Sequence, residues 1–102
     1  MPYIKIHQRE QLDKQIESLA AQMRLQFKRG GGNPPPTIVD PGVVNYVVTK
    51  LLLSLDHEGN YANHNALIGA LECCKLEYYR RAISPYEDKK IQDNSDVYHS
   101  PK

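Results

Sequence analysis

From Arg9 to Lys28 the apolar residues Leu12, Ile16, Leu19, Met23 and Phe27 recur at intervals of three and four, with Gln, Asp, Lys and Glu filling most positions between them. An apolar stripe on a polar remainder predicts an amphipathic helix over 9–28. Ahead of it, Pro2-Tyr3-Ile4-Lys5-Ile6 alternates and holds a proline. That pattern reads as an extended arm packing Tyr3, Ile4 and Ile6, too short for a sheet of its own. The run Arg29-Gly30-Gly31-Gly32-Asn33-Pro34-Pro35-Pro36 joins a flexible triplet to a stiff polyproline piece. The helix therefore ends there, and a Gly/Pro-rich tether is expected at 29–40.

Asp40-Pro41 supplies an N-cap and a proline at the first helical position, which starts a second helix over 41–55. Its valines make a strand the rival reading, and length and cap favour the helix. Val44, Val47, Val48, Leu51 and Leu55 form its main stripe, while Tyr46, Leu52 and Leu53 lie off it, so the helix needs cover on more than one side. After the turn Asp56-His57-Glu58-Gly59-Asn60 a third helix is expected over 63–83, folding back antiparallel on the second. Ser84-Pro85-Tyr86-Glu87 has the form of a capping box with proline at N1. It predicts a short fourth helix over 84–92, or a sharp kink at Ser84. The last ten residues are polar and read as frayed, with Val97 and Tyr98 docking. The expected architecture is all-α: one domain over 1–102, a small bundle on the 41–55/63–83 hairpin.

Composition changes this picture mainly by exclusion. In a chain of 102 residues, 40% hydrophobic and 25% charged, there is room for one core and no more. Thirteen Lys and Arg against twelve Asp and Glu leave a net charge of +1, so no global basic field points to DNA. No stretch approaches a membrane span and the start lacks a signal-peptide pattern, so a cytoplasmic protein is expected. Cys73 and Cys74 are adjacent in a helical pattern and cannot bridge each other without strain. They read as small buried hydrophobes in a reducing compartment. The four histidines are scattered, with no CxxC or HxxxH spacing, and no metal site is expected. The glycine triplet lacks the GK[ST] ending of a phosphate-binding loop. Asn63-His64-Asn65, near His57 and Glu58, has no Ser or Cys nucleophile at a diagnostic spacing, and an asparagine cap with a surface histidine explains it. Neither an enzyme nor a cofactor is expected.

Candidate chemistry concentrates between Lys75 and Lys90. Projected on a helix, Leu67, Leu71, Cys74, Tyr78 and Ala82 form one stripe, Ile68, Tyr79 and Ile83 a second, and Glu72 and Lys75 fall inside that apolar sector. A charge there needs water, a partner or a ligand. Lys75 can snorkel, pair with Glu72, or face an anion. Arg80 and Arg81 offer forked donors to phosphate, and Tyr79 and Tyr86 offer stacking faces with hydroxyls, so Lys75, Tyr79, Arg80, Arg81 and Tyr86 are the candidate ligand-binding residues. Interleaved acids, Glu77 above all, offer the plainer reading of a solvated charged face.

The opening Met1-Pro2-Tyr3-Ile4-Lys5, the central Asn45-Tyr46-Val47-Val48-Thr49-Lys50-Leu51-Leu52, the block Gly69 to Arg81, Pro85 to Lys90, and Asp96-Val97-Tyr98 resemble a family of short uncharacterised proteins of tailed phages and prophages. The resemblance covers most of the chain outside the tether. That family usually has Gly after the Asn that precedes Asp96 by two positions, where this chain has Ser95. The resemblance implies a phage-encoded helical protein and supplies no activity; analogy of size and genome context with other small phage proteins gives the leading expectation, a non-catalytic binding protein that counters host defence by sequestering a small anionic, nucleotide-like signal. The alternative is a module that binds a host or virion protein through the apolar second helix. In either case the surplus apolar surface implies a homo-oligomer.

Overall fold

The computed structural model describes residues 3–96 and Tyr98. Among the described residues the chain is mostly helical with one small two-stranded ribbon, and it divides into two units, Met1–Leu55 and Asp56–Lys102. The expected pairing of the second and third helices falls across this division, so each unit is described by itself.

In the first unit α1 spans Ile6–Leu25, three residues earlier at both ends than the apolar stripe predicts. The Gln8 side chain reaches back to accept the Lys5 backbone N–H at 2.9 Å, which fixes the first turn well before Leu12. Ile6 is thus helical, and Tyr3 and Ile4 stay exposed rather than packing as an arm. The helix stops short of Lys28 because Lys28–Arg29 is β1, paired antiparallel with β2 at Thr37–Ile38. The Gly/Pro stretch therefore does not simply travel. Its ends are joined, with the Gly30 N–H donating to the Pro36 carbonyl at 2.8 Å and Arg29 Nη1 to Thr37 Oγ1 at 2.9 Å.

Helix α2 spans Pro41–Leu55, as its start signals predict. Asp40 Oδ1 accepts the Gly42 N–H at 2.9 Å and the Asp40 carbonyl accepts the Val44 N–H at 3.2 Å, the two bonds of an N-cap. Val43, Val44, Val47, Val48 and Leu52 are half-buried. Leu51 and Leu55, expected in the main stripe, are exposed, and Leu52, expected off it, takes their place.

The second unit opens on a turn in which Gly59 takes φ +62° and donates to Asp56 Oδ1 at 3.2 Å. The cap of α3 is Asn60, not Asn63: its side chain accepts the Asn63 N–H at 2.8 Å, and α3 spans Tyr61–Tyr78. A π turn at Tyr79–Ile83 leads directly into α4 at Ser84–Asn94. Ser84 has helical backbone angles, φ −59° and ψ −45°, so the expected capping box does not form and the helical path is unbroken from Tyr61 to Asn94. Pro85 explains the π turn. Its ring clashes with the carbonyl four residues back and it donates no hydrogen bond, so a regular α-helix cannot pass through it unchanged. The wider turn, closed by the Ser84 N–H on the Tyr79 carbonyl, opens room at that point.

Among the described residues no side chain is fully buried. The cysteines follow this pattern: Cys73 is half-buried and Cys74 exposed, rather than both lying in a core.

Candidate functional site

The five candidate residues all lie on the continuous helix of the second unit, and each has a partner near it in sequence. Lys75 Nζ sits 3.3 Å from Glu72 Oε1 with its side chain 70% exposed, so its charge is solvated and paired rather than held on an apolar face. Glu77 Oε2 accepts from both Arg80 Nη2, at 2.6 Å, and Arg81 Nε, at 2.7 Å. Both guanidinium groups thus share one carboxylate oxygen, and Glu77 is itself only 26% exposed. Lys90 Nζ lies 5.5 Å from the centre of the Tyr86 ring, a cation–π contact along one helix face.

Tyr79 is the candidate whose partner spacing did not reveal. Its hydroxyl donates to Glu87 Oε1 across the π turn. The bond to Glu87 raises the phenol above its usual value of 10.0, with the carboxylate's charge second and desolvation third, since all three favour the neutral form.

On a helix, Lys75 and Tyr79 share a side at i,i+4, while Arg80 and Arg81 step away by about 100° each. Arg80 and Arg81 meet at Glu77, while Lys75, Tyr79 and Tyr86 each engage a different residue, Glu72, Glu87 and Lys90. The groove at the end of α4 is lined by Glu87, Lys90, Ile91, Asn94, Asp96 and Tyr98, none of them among the five. The residues that sequence reasoning undervalued are the acids Glu77 and Glu87. The first was legible as an i,i+4 partner of Arg81; the second needed the π turn.

His64 Nδ1 lies 2.7 Å from Asp56 Oδ2, tying the inter-helix turn to the first turn of α3, so the partner of the histidine is Asp56 rather than the nearby Glu58. In the first unit, Leu19, Met23, Gly42, Val43, Tyr46 and Val47 line an apolar groove between α1 and the start of α2. Beside this groove α2 is also open: Tyr46 and Leu53 are 64% and 73% exposed. Lys50 covers part of it, donating to the Tyr46 hydroxyl at 3.1 Å.

Among the described residues no three His, Cys, Asp or Glu side chains form a group that could hold a metal ion, and no helix is long and apolar enough to cross a membrane. No curated protein and no solved structure matches the chain. A family model described as a domain of unknown function, DUF6899, matches residues 1–97, and the chain belongs to that family.

Proposed function

We propose that the protein is a non-catalytic interaction module whose apolar helix faces are completed by another polypeptide. The observation that carries this reading is the absence of a fully buried side chain among the described residues, together with large apolar groups left in water on α1 and α2. Exposed apolar surface on this scale marks interaction sites in soluble proteins. Capture of an anionic nucleotide is the weaker reading, because Arg80 and Arg81 are held by Glu77, Lys75 lies beside Glu72, and Tyr79 is bonded to Glu87. An incoming phosphate would have to displace those carboxylates and overcome their repulsion.

The test uses the purified full chain, followed by circular dichroism, binding of an apolar fluorescent dye, and thermal melting with a panel of cyclic and linear nucleotides. The expected result is a chain that either self-associates or, as a monomer, binds the dye and melts without a sharp transition, with no nucleotide changing its melting temperature. A dye-silent monomer with a cooperative melt would overturn the reading. So would a nucleotide that raises the melting temperature as RT ln(1 + [L]/Kd) requires.

A further inference from the structure

We infer that Asn94 is a self-modification site, at which the Ser95 backbone nitrogen displaces the side-chain amide and water then leaves aspartate or isoaspartate. Such a reaction needs an asparagine within reach of the next peptide nitrogen, an N–H there that is not engaged, and little bulk after it. The way α4 ends supplies all three. Asn94 is the last residue of α4, and Ser95, with its small side chain, leaves the helix at φ +68° and ψ +151°. The residues that cap α1, α3 and the π turn donate their N–H back to carbonyls of the preceding turn. Among the described residues neither the Ser95 N–H nor the Asn94 carboxamide has a hydrogen-bond partner, and both residues are exposed.

The other asparagines are each withheld. Asn33 precedes Pro34, whose nitrogen carries no hydrogen. Asn45, Asn63 and Asn65 lie inside α2 and α3, where the following N–H belongs to the helical ladder; the His64 N–H, for example, donates to the Asn60 carbonyl at 3.0 Å. Asn60 comes nearest, but its side-chain oxygen already accepts the Asn63 N–H at 2.8 Å and the bulky Tyr61 follows it.

In the first step the Ser95 nitrogen gives up its proton and attacks Asn94 Cγ. The N–Cγ bond forms as Cγ–Nδ2 breaks, and Nδ2 leaves as ammonia with that proton, closing a succinimide ring. Water then adds to either ring carbonyl. Opening on one side gives aspartate, and on the other isoaspartate, whose main chain runs through Cβ. One water enters, one ammonia leaves, and nothing is oxidised or reduced. The short intramolecular reach takes the place of a catalyst.

Either product puts a carboxylate at the C-terminal end of α4, between Asp93 and Asp96 and beside carbonyls that already carry partial negative charge. The formal net charge of +1 is cancelled. Isoaspartate also lengthens the main chain just before the turn in which Asp96 Oδ1 accepts the Tyr98 N–H at 3.0 Å. The end of α4 and this turn then lose their register.

The test incubates the full chain at near-neutral pH, native and in urea, and follows it by mass spectrometry of tryptic peptides, with an isoaspartyl methyltransferase to count isoaspartate. Cleavage after Lys90 leaves Asn94 as the only asparagine of its peptide, residues 91–102. Native conversion there is expected at least about tenfold faster than at any other asparagine, with isoaspartate among the products. The gap should narrow in urea, which frees the helical N–H groups. Ser95→Pro removes the attacking N–H and should abolish conversion at Asn94 even if the helix end is rerouted. A native peptide 91–102 that stays unmodified, or converts no faster than the peptide holding Asn63 and Asn65, overturns the inference. Aspartate without isoaspartate, or conversion that persists in Ser95→Pro, overturns the cyclisation. A gap unchanged in urea overturns the role given to the end of α4.

Discussion

The Tyr79 hydroxyl donates to the Glu87 carboxylate eight residues ahead of it, a separation that a regular α-helix turns about 80° apart. The π turn at Tyr79–Ile83 takes up one extra residue, so the pair falls in register as though seven residues apart, nearly two full turns on one face. Pro85 is thus not a helix stop here. It forces the local widening that aligns the two side chains.

This alignment has a signature in pH. Tyr79 is raised by Glu87, so the folded state holds its phenolic proton more tightly than the unfolded chain does. The associated stabilisation is complete below the unfolded phenol's pKa, about 10, and disappears as pH rises through the higher folded value. Tyrosinate absorbance against pH should show a late component that Tyr79→Phe removes and Glu87→Gln moves toward the other tyrosines. A single titration unchanged by either substitution would show that the bond does not persist in solution.

Replacing Pro85 with Ala restores a backbone donor and removes the ring. Helix propensity alone favours Ala over Pro by about 3 kcal/mol in a helix interior. Part of that is offset here, because the π turn already accommodates the ring and a regular helix would rotate Glu87 away from Tyr79. Net stabilisation of about 1–2 kcal/mol in a urea titration is expected, together with loss of the late tyrosine titration. A stabilised variant that keeps the late titration would mean that the π turn is held by something other than the proline.

How far these features were legible in the sequence depends on what the local chemistry specifies. Asp40-Pro41 marked the start of α2 correctly, because a capping carboxylate and a fixed φ act within a few residues of themselves. Ser84-Pro85-Tyr86-Glu87 carries similar letters and failed as a cap, because α3 arrives already helical and continuing it through a π turn keeps the backbone bonded. Asn60 was missed beside Asn63 because either could cap, and only the turn geometry chooses between them. Lys75 lies in an apolar sector by projection, yet its side chain is 70% exposed beside Glu72, so its charge stays in water. The tether was read from flexible Gly and stiff Pro, and pairing of Lys28 with Ile38 across it has no signal in either residue type.

Within that loop two adjacent glycines should respond oppositely. A Cβ on Gly30 would meet Pro36 Cγ at 3.0 Å and Ile38 Cδ1 at 3.4 Å, so Gly30→Ala requires the Pro36 ring, whose carbonyl the Gly30 N–H bonds, to give by a few tenths of an ångström. Gly31 has open space around the same position. Gly30→Ala should lower stability by about 1 kcal/mol, and Gly31→Ala should leave it unchanged or raise it by about 0.4–1 kcal/mol through the less flexible unfolded chain. Denaturant midpoints of both variants decide the matter; equal responses would show that the ribbon is not formed in solution.

The end of α4 offers the sharpest backbone test. Ser95 closes the helix at φ +68° and ψ +151°, a region populated almost only by glycine. The Cβ is what makes this conformation costly, on the order of 1–3 kcal/mol for a residue held there. Ser95→Gly removes that strain and at the same time enlarges the freedom of the unfolded chain, which offsets about 0.4–1 kcal/mol of the gain. The balance favours the variant by about 1 kcal/mol, read as a higher denaturant midpoint with an unchanged slope. Ser95→Ala is the control, since it keeps the Cβ and should not stabilise. Should Ser95→Gly lower the midpoint, the residue would have to leave the left-handed region in solution, and α4 would end by a different path.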